Sequence, residues 1–267
     1  MEQTSIIHLR LWQLVAAYIF VLILLFFLKI RRIDREKELL LATTRMTLQL
    51  ALVGYLLGYI FEQDNYLFTL IIIAVMEVFA IYNIYQRVNT KISRELKKII
   101  AFSMAIGTLT SLLYFILVVI GLKPWYDPRY FIPLAGMLIG NSMTGISLGV
   151  ERLISGMKEN QAKVETALML GATPKKATQQ AVNDAFNSAI LPTINSMMGM
   201  GIIFLPGMMT GQILSGVSPL TAIEYQIAIM LGILGSVSLT VVIFVYLGYK
   251  TFFNERAQLI INGYETS

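Results

Sequence analysis

Runs of about 20 residues with one charge or none recur along this chain, and they restrict its possible folds more than any other feature. A helix rises about 1.5 Å per residue and a bilayer's hydrocarbon layer is about 30 Å thick, so each run is long enough to cross a membrane. Inside lipid an isolated strand leaves its backbone groups unpaired, whereas a helix satisfies them internally. Of 267 residues, 56% are hydrophobic and 14% charged, which is far from the balance of a soluble domain. The expected fold is therefore all-α: a polytopic transmembrane helical protein forming a single membrane domain over 1–267.

Seven segments qualify as spans: 9–29, 41–61, 67–86, 99–121, 131–149, 190–217 and 221–249. The first resembles a signal peptide in length, but its basic cluster follows the apolar run and no small-residue cleavage site comes after it, so it reads as a retained span. The segment 190–217 is long and interrupted at Phe204-Leu-Pro-Gly207, where Pro206 removes a backbone donor and Gly207 removes a side chain. Lys and Arg residues set the orientation. They cluster after the first span (Lys29 to Lys37), after the third (Arg87 to Lys98, including Lys91) and after the fifth (Arg152 to Lys176), which assigns those loops to the cytoplasm. The alternate loops, with Glu62 and Asp64 and then Lys123 to Arg129, face outward. Seven spans place the N-terminus outside and the C-terminus, with Lys250 and Arg256, in the cytoplasm. The expected location is the cell (plasma) membrane.

The one long hydrophilic connection, 150–189, has a helical pattern. Leu153, Ile154, Met157, Val164 and Leu168 recur near helical spacing, so an amphipathic helix runs to about Leu170. Gly171 ends it, and Thr173-Pro174 restarts a helix as N-cap and first helical residue, giving a cytoplasmic helix-turn-helix.

Several chemistries are excluded. There is no cysteine, the single histidine is His8 near the N-terminus, and no phosphate loop, dinucleotide turn, zinc motif or nucleophile elbow occurs. An enzyme is not expected, nor is a cofactor bound by this chain. The net charge of +5 is dispersed in short groups at the ends of apolar runs, which argues against nucleic acid. The methionines of the sixth segment, Met197 to Met209, read as packing rather than a copper site.

Candidate functional residues lie within the spans. Glu77 lies about 15 Å into its segment, near the bilayer midplane, where an acid is either a protonated hydrogen-bond donor to a neighbouring helix or part of a proton or substrate pathway. Asn141 and Thr144 lie at similar depth and are expected to line one polar path with it. Glu224, near the outer end of the last span, reads as an interfacial acid within reach of water. Four small-xxx-small pairs, Gly54/Gly58, Gly136/Gly140, Gly145/Gly149 and Gly207/Gly211, permit close helix approach.

The stretch Glu165-Thr-Ala-Leu-Met-Leu-Gly171-Ala-Thr-Pro174 resembles the cytoplasmic coupling segment of ABC transporter permeases. With Leu138-Ile-Gly-Asn141-Ser-Met-Thr-Gly145, Leu205-Pro-Gly-Met-Met-Thr-Gly-Gln-Ile-Leu214 and Tyr225-Gln-Ile227, the chain as a whole resembles the FetB-type permease family, associated with iron export and, in plants, with aluminium tolerance. That resemblance implies a permease, expected as a homodimer, energised by a separate cytoplasmic ATPase that holds the ATP. Glu165, Ala167, Leu168, Gly171 and Pro174 would then form the ATPase-coupling contact. It does not designate metal ligands: iron prefers oxygen and imidazole donors, and Glu77 is the one deep acid. Two other readings stay open, a proton-coupled secondary transporter using Glu77 and a membrane scaffold that only docks a partner on 150–189.

Overall fold

The computed structural model describes residues 9–62, 65–88 and 92–260. His8, Asp64 and Lys91 lie outside the described residues, so their expected placements have no structural counterpart. The chain divides into two compact units, Met1–Asp64 with Gln212–Val217, and Asn65–Gly211 with Ser218–Ser267. Among the described residues six helices are long and apolar enough to cross a membrane, and the protein is a polytopic helical membrane protein.

The first unit is a helical hairpin. Helices α1 (Leu11–Ala17) and α2 (Ile19–Arg31) form one apolar span, and α3 (Glu36–Glu62) returns along it. The turn matches the helix dipoles: Lys29 and Arg31 end α2, and Glu36 and Glu38 begin α3. Arg32 takes the left-handed conformation at φ 52° that closes α2.

The second unit is a bundle around α6 (Pro128–Glu159), which packs on α4 (Tyr66–Arg87), α5 (Arg94–Tyr114, continued by a π-helical turn Phe115–Ile120), α9 (Gln179–Gly199) and α11 (Pro219–Gly248). Side-chain caps define where these helices start: Asn65 accepts from Leu67 N, Ser93 from Leu96 N and Asp127 from Arg129 N, and Pro128 and Pro219 occupy first helical positions. Small residues bring the axes together. Ala181, Ala185 and Ala189 of α9, all at most 2% exposed, form a stripe one helical turn apart facing Gly145, Gly149 and Gly156 of α6. A Cβ on Gly145 would lie 3.2 Å from the Ala189 carbonyl, and one on Gly156 would lie 3.3 Å from Ala181 Cβ.

Of the four expected glycine pairs, Gly145/Gly149 is the one packed at a helix crossing. A Cβ at Gly54, Gly58, Gly140, Gly207 or Gly211 would meet nothing within 4 Å, and at Gly136 only the end of Met76. Two closer contacts involve glycines outside those pairs: Gly107 against Thr240, and Gly232 against Phe115.

The segment 190–217 differs from the expected single span. It divides into α9, which already begins at Gln179, and α10 (Gly207–Leu214), about 12 Å long. Between them Met200 to Pro206 are non-helical, turned by Gly201 at φ +82°, with Gly201 N donating to the Phe204 carbonyl at 3.0 Å. Helix α9 nevertheless runs the length of the unit. The turn preceding it lies beside the end of α11, where Lys175 and Lys250 both approach the Tyr246 ring, at 5.9 and 5.1 Å. Just past its other end, Met200 meets Gln226 near the start of α11. Its Gln179, Gln180, Asn183, Asp184, Asn187 and Asn195 make it too polar to count as a lipid-facing span.

Candidate functional site

Helix α6 continues past the bundle to Glu159, and after Asn160 the chain forms α7 (Gln161–Met169). Val164, 2% exposed, anchors α7. Its end is a Schellman turn: Gly171 N donates to Leu168 O and Ala172 N to Ala167 O, each at 2.9 Å, with Gly171 at φ +85°. The Thr173 hydroxyl then accepts from Lys176 N, and Pro174 opens α8 (Pro174–Ala177), which leads into α9. The expected glycine stop and Thr-Pro restart are present in the local geometry, whereas the expected single helix divides at Asn160: Leu153, Ile154 and Met157 belong to α6, and Val164 and Leu168 to α7.

The exposed apolar groups of this turn are not quite those expected. Met169 and Leu170 are 85% and 84% exposed, whereas Ala167 and Leu168 are partly buried and their carbonyls accept the closing bonds of the turn. Glu165 accepts from Gln161 Nε2 at 2.9 Å one turn back, which holds its carboxylate along α7. Sequence reasoning passed over Met169, whose side chain projects beside Leu170. It also passed over two tethers: Arg152, which pairs with Glu159 at 3.5 Å and Asp184 at 3.4 Å, and Tyr246, which receives Lys175 and Lys250. Arg152 joins the cytoplasm-assigned end of α6 to α9. A basic residue two helical turns before an acidic one, Arg152 and Glu159, was the available signal, but the partner in α9 is distant in sequence.

The deep polar residues do not assemble as expected. Glu77 is 6% exposed on the face of α4 towards α5, where Thr108 Oγ1 lies 3.0 Å from its Oε2. Its other oxygen, Oε1, is buried and has no hydrogen-bond partner. Asn141 is exposed on α6 and donates back to the Met137 carbonyl at 2.8 Å; Thr144 donates to the Gly140 carbonyl at 3.1 Å. Asn141 and Thr144 therefore share one face of α6, and Glu77 has Thr108 as its partner. A second buried polar contact, Ser142 with Ser236 at 2.9 Å, joins α6 to α11. Pro206 ends the non-helical stretch, its carbonyl accepting from Thr210 N at 2.9 Å, and Gly207 begins α10. Among the described residues no group of three His, Cys, Asp or Glu side chains is placed to hold a metal ion.

Comparison with known proteins matches residues 11–253 to a family profile described as an uncharacterised protein family, UPF0014. The chain is 39% identical to a UPF0014 membrane protein of Synechocystis, over 84% of this chain and 86% of the relative. It is 33% identical to the probable iron export permease protein FetB of Escherichia coli, over 85% of each chain. It is 36% identical to the protein ALUMINUM SENSITIVE 3 of Arabidopsis thaliana, over 91% of this chain and 88% of the relative. No solved structure matches it significantly.

Proposed function

The chain belongs to the UPF0014 family of membrane proteins, and from that membership we propose that it is the permease subunit of an ABC transporter that exports iron or a related metal-linked solute. A separate cytoplasmic ATPase supplies the energy, and two permease copies form the membrane part. The observation that carries this reading is the α7–α8 turn. Two large apolar side chains, Met169 and Leu170, stand exposed at the tip of a helical hairpin whose polar rim carries Glu165, Lys175 and Lys176. An apolar centre inside a charged rim is the composition of a protein-docking surface. The relative named as a probable iron export permease supports the direction and the cargo. In this reading the N-terminus is outside, and the α7–α8 turn and the C-terminus are cytoplasmic.

The buried carboxyl of Glu77, with Oε1 unpartnered, favours one rival reading, a secondary transporter driven by protons. One experiment separates the two. The chain is co-purified with its candidate ATPase, reconstituted in vesicles, and assayed for ATP-driven movement of iron. ATP-dependent transport that stops when the ATPase is omitted supports the permease reading. Transport driven by a proton gradient without ATPase supports the rival and rejects ours.

A further inference from the structure

Helices α5 and α11 touch where Gly232 meets Phe115: a Cβ there would lie 2.8 Å from Phe115 Cδ2. Beside that contact the two helices enclose a cavity of about 810 Å³, open on one side. Its walls are apolar, formed chiefly by Phe115, Ile227 and Leu231. The space continues to Gly235, where an added Cβ would meet nothing within 4 Å. Polar groups sit at its two ends. Glu224, the one charged residue of the lining, lies about 16 Å along α11 from Gly235, towards the outward-assigned end. Thr110, Ser111 and Tyr114 of α5 bring hydroxyls to the other end. None of these four side chains has a hydrogen-bond or ionic partner among the described residues, although Thr108, two residues before Thr110, bonds back to the Met104 carbonyl.

We propose that this cavity is a binding site for a bulky organic cation, its charge held by the Glu224 carboxylate and its hydrophobic body lying against Phe115, Ile227 and Leu231. The volume falls in the range of about 300–1,000 Å³ that accommodates drug-sized ligands. The sign follows from the single carboxylate of the lining. A bare metal ion does not fit. One carboxylate and three hydroxyls cannot replace the six to eight oxygen ligands that a hard ion loses on leaving water, and the walls are greasy. The inference rests on the permease reading only in making this ligand a cargo class: a cation whose charge is already shielded by an organic envelope. As a binding site it stands by itself.

The test uses the full-length chain in nanodiscs of neutral phosphatidylcholine, with binding of radiolabelled tetraphenylphosphonium measured against empty nanodiscs and tetraphenylborate as the anion of equal size. The expected result is saturable binding of the cation and none of the anion. Glu224→Gln should weaken cation binding by about tenfold or more, and Gly235→Leu, which fills the cavity where there is room, should abolish it. Non-saturable partitioning, as expected if lipid or a helix of a second copy fills the groove, overturns the proposal. So does saturable binding that both variants leave unchanged, or equal binding of cation and anion. The permease reading fails separately: saturable cation binding with no ATPase-dependent transport rejects that reading and leaves this site intact.

Discussion

At Glu77 a single hydroxyl faces two acceptors. Thr108 Oγ1 lies 2.7 Å from the Met104 carbonyl and 3.0 Å from Glu77 Oε2, yet it has one hydrogen to give. A carboxyl that carries its own proton supplies the second donor, and so does an amide. Glu77→Gln is therefore expected to insert and to keep its unfolding midpoint within the shift of about 1 kcal/mol typical of a conserved hydrogen bond. If Glu77 serves transport, that variant transports more slowly; wild-type transport across pH would leave it a purely structural role. Gly107 makes a stricter demand. A Cβ there would lie 2.3 Å from Thr240 Oγ1 and 2.6 Å from Thr240 Cα, so part of the obstruction is backbone. Gly107→Ala should force α5 and α11 apart and cost about 1–3 kcal/mol, read as a lowered midpoint in denaturing detergent. Gly54→Ala, with nothing within 4 Å, should leave that midpoint unchanged or raise it. A sequence distinguishes these two glycines poorly, because each has small residues four positions away, Ser103 and Ser111 for Gly107 and Gly58 for Gly54, and the neighbour that matters, Thr240, lies on another helix.

Within the expected helix-turn-helix of 150–189, the glycine stop and the Thr-Pro restart at 171–174 were readable because both signals are local. A glycine at φ +85° and a Thr-Pro pair determine the turn through bonds that reach no further than five residues. Gly171→Val should place about 1–2 kcal/mol of left-handed strain in that turn without any steric clash, since the added Cβ meets open space. We expect the variant to reach the membrane and to lose the ATPase in pull-down assays. Undiminished pull-down and coupled ATP hydrolysis would end the coupling assignment. Helix α9 illustrates the opposite case. A helix was expected from Pro174 toward Ala189, but its continuity past Ile190 was obscured because the apolar run beginning there reads as a separate span. What carries its polar residues across the bundle is burial of the opposite face against α6, a property of the pair and not of the segment.

Across the second unit the basic ends coincide. Gly248 of α11 lies where a Cβ would contact Leu153 of α6 and Leu96 of α5, at 3.4 and 3.5 Å, and Tyr246 gathers Lys175 and Lys250. The starts of α5 and α9 and the ends of α6 and α11 are therefore on one side. Reporter fusions after Lys158 and after Lys250 should give the same cytoplasmic signal. Opposite signals would mean that α9 fails to cross, leaving α11 as the single span between those points, in conflict with the charge pattern.

Hydropathy and loop charge alone determine that this is a multi-spanning helical protein, because transfer of about 20 apolar residues into lipid outweighs any choice the tertiary structure makes. The local turn at Gly171 is likewise determined by the sequence, through its glycine and the Thr173-Pro174 pair. Which glycines face a neighbour, which polar residues meet, and whether 190–217 is one helix or two depend on contacts between helices far apart in sequence. Glu77 pairs with Thr108 of α5 and not with Asn141 because α4 presents that face to α5, while Asn141 lies on a face of α6 turned away from the core. Only packing decides between such faces, since each helix offers several of comparable apolarity and the choice follows from which surfaces fit.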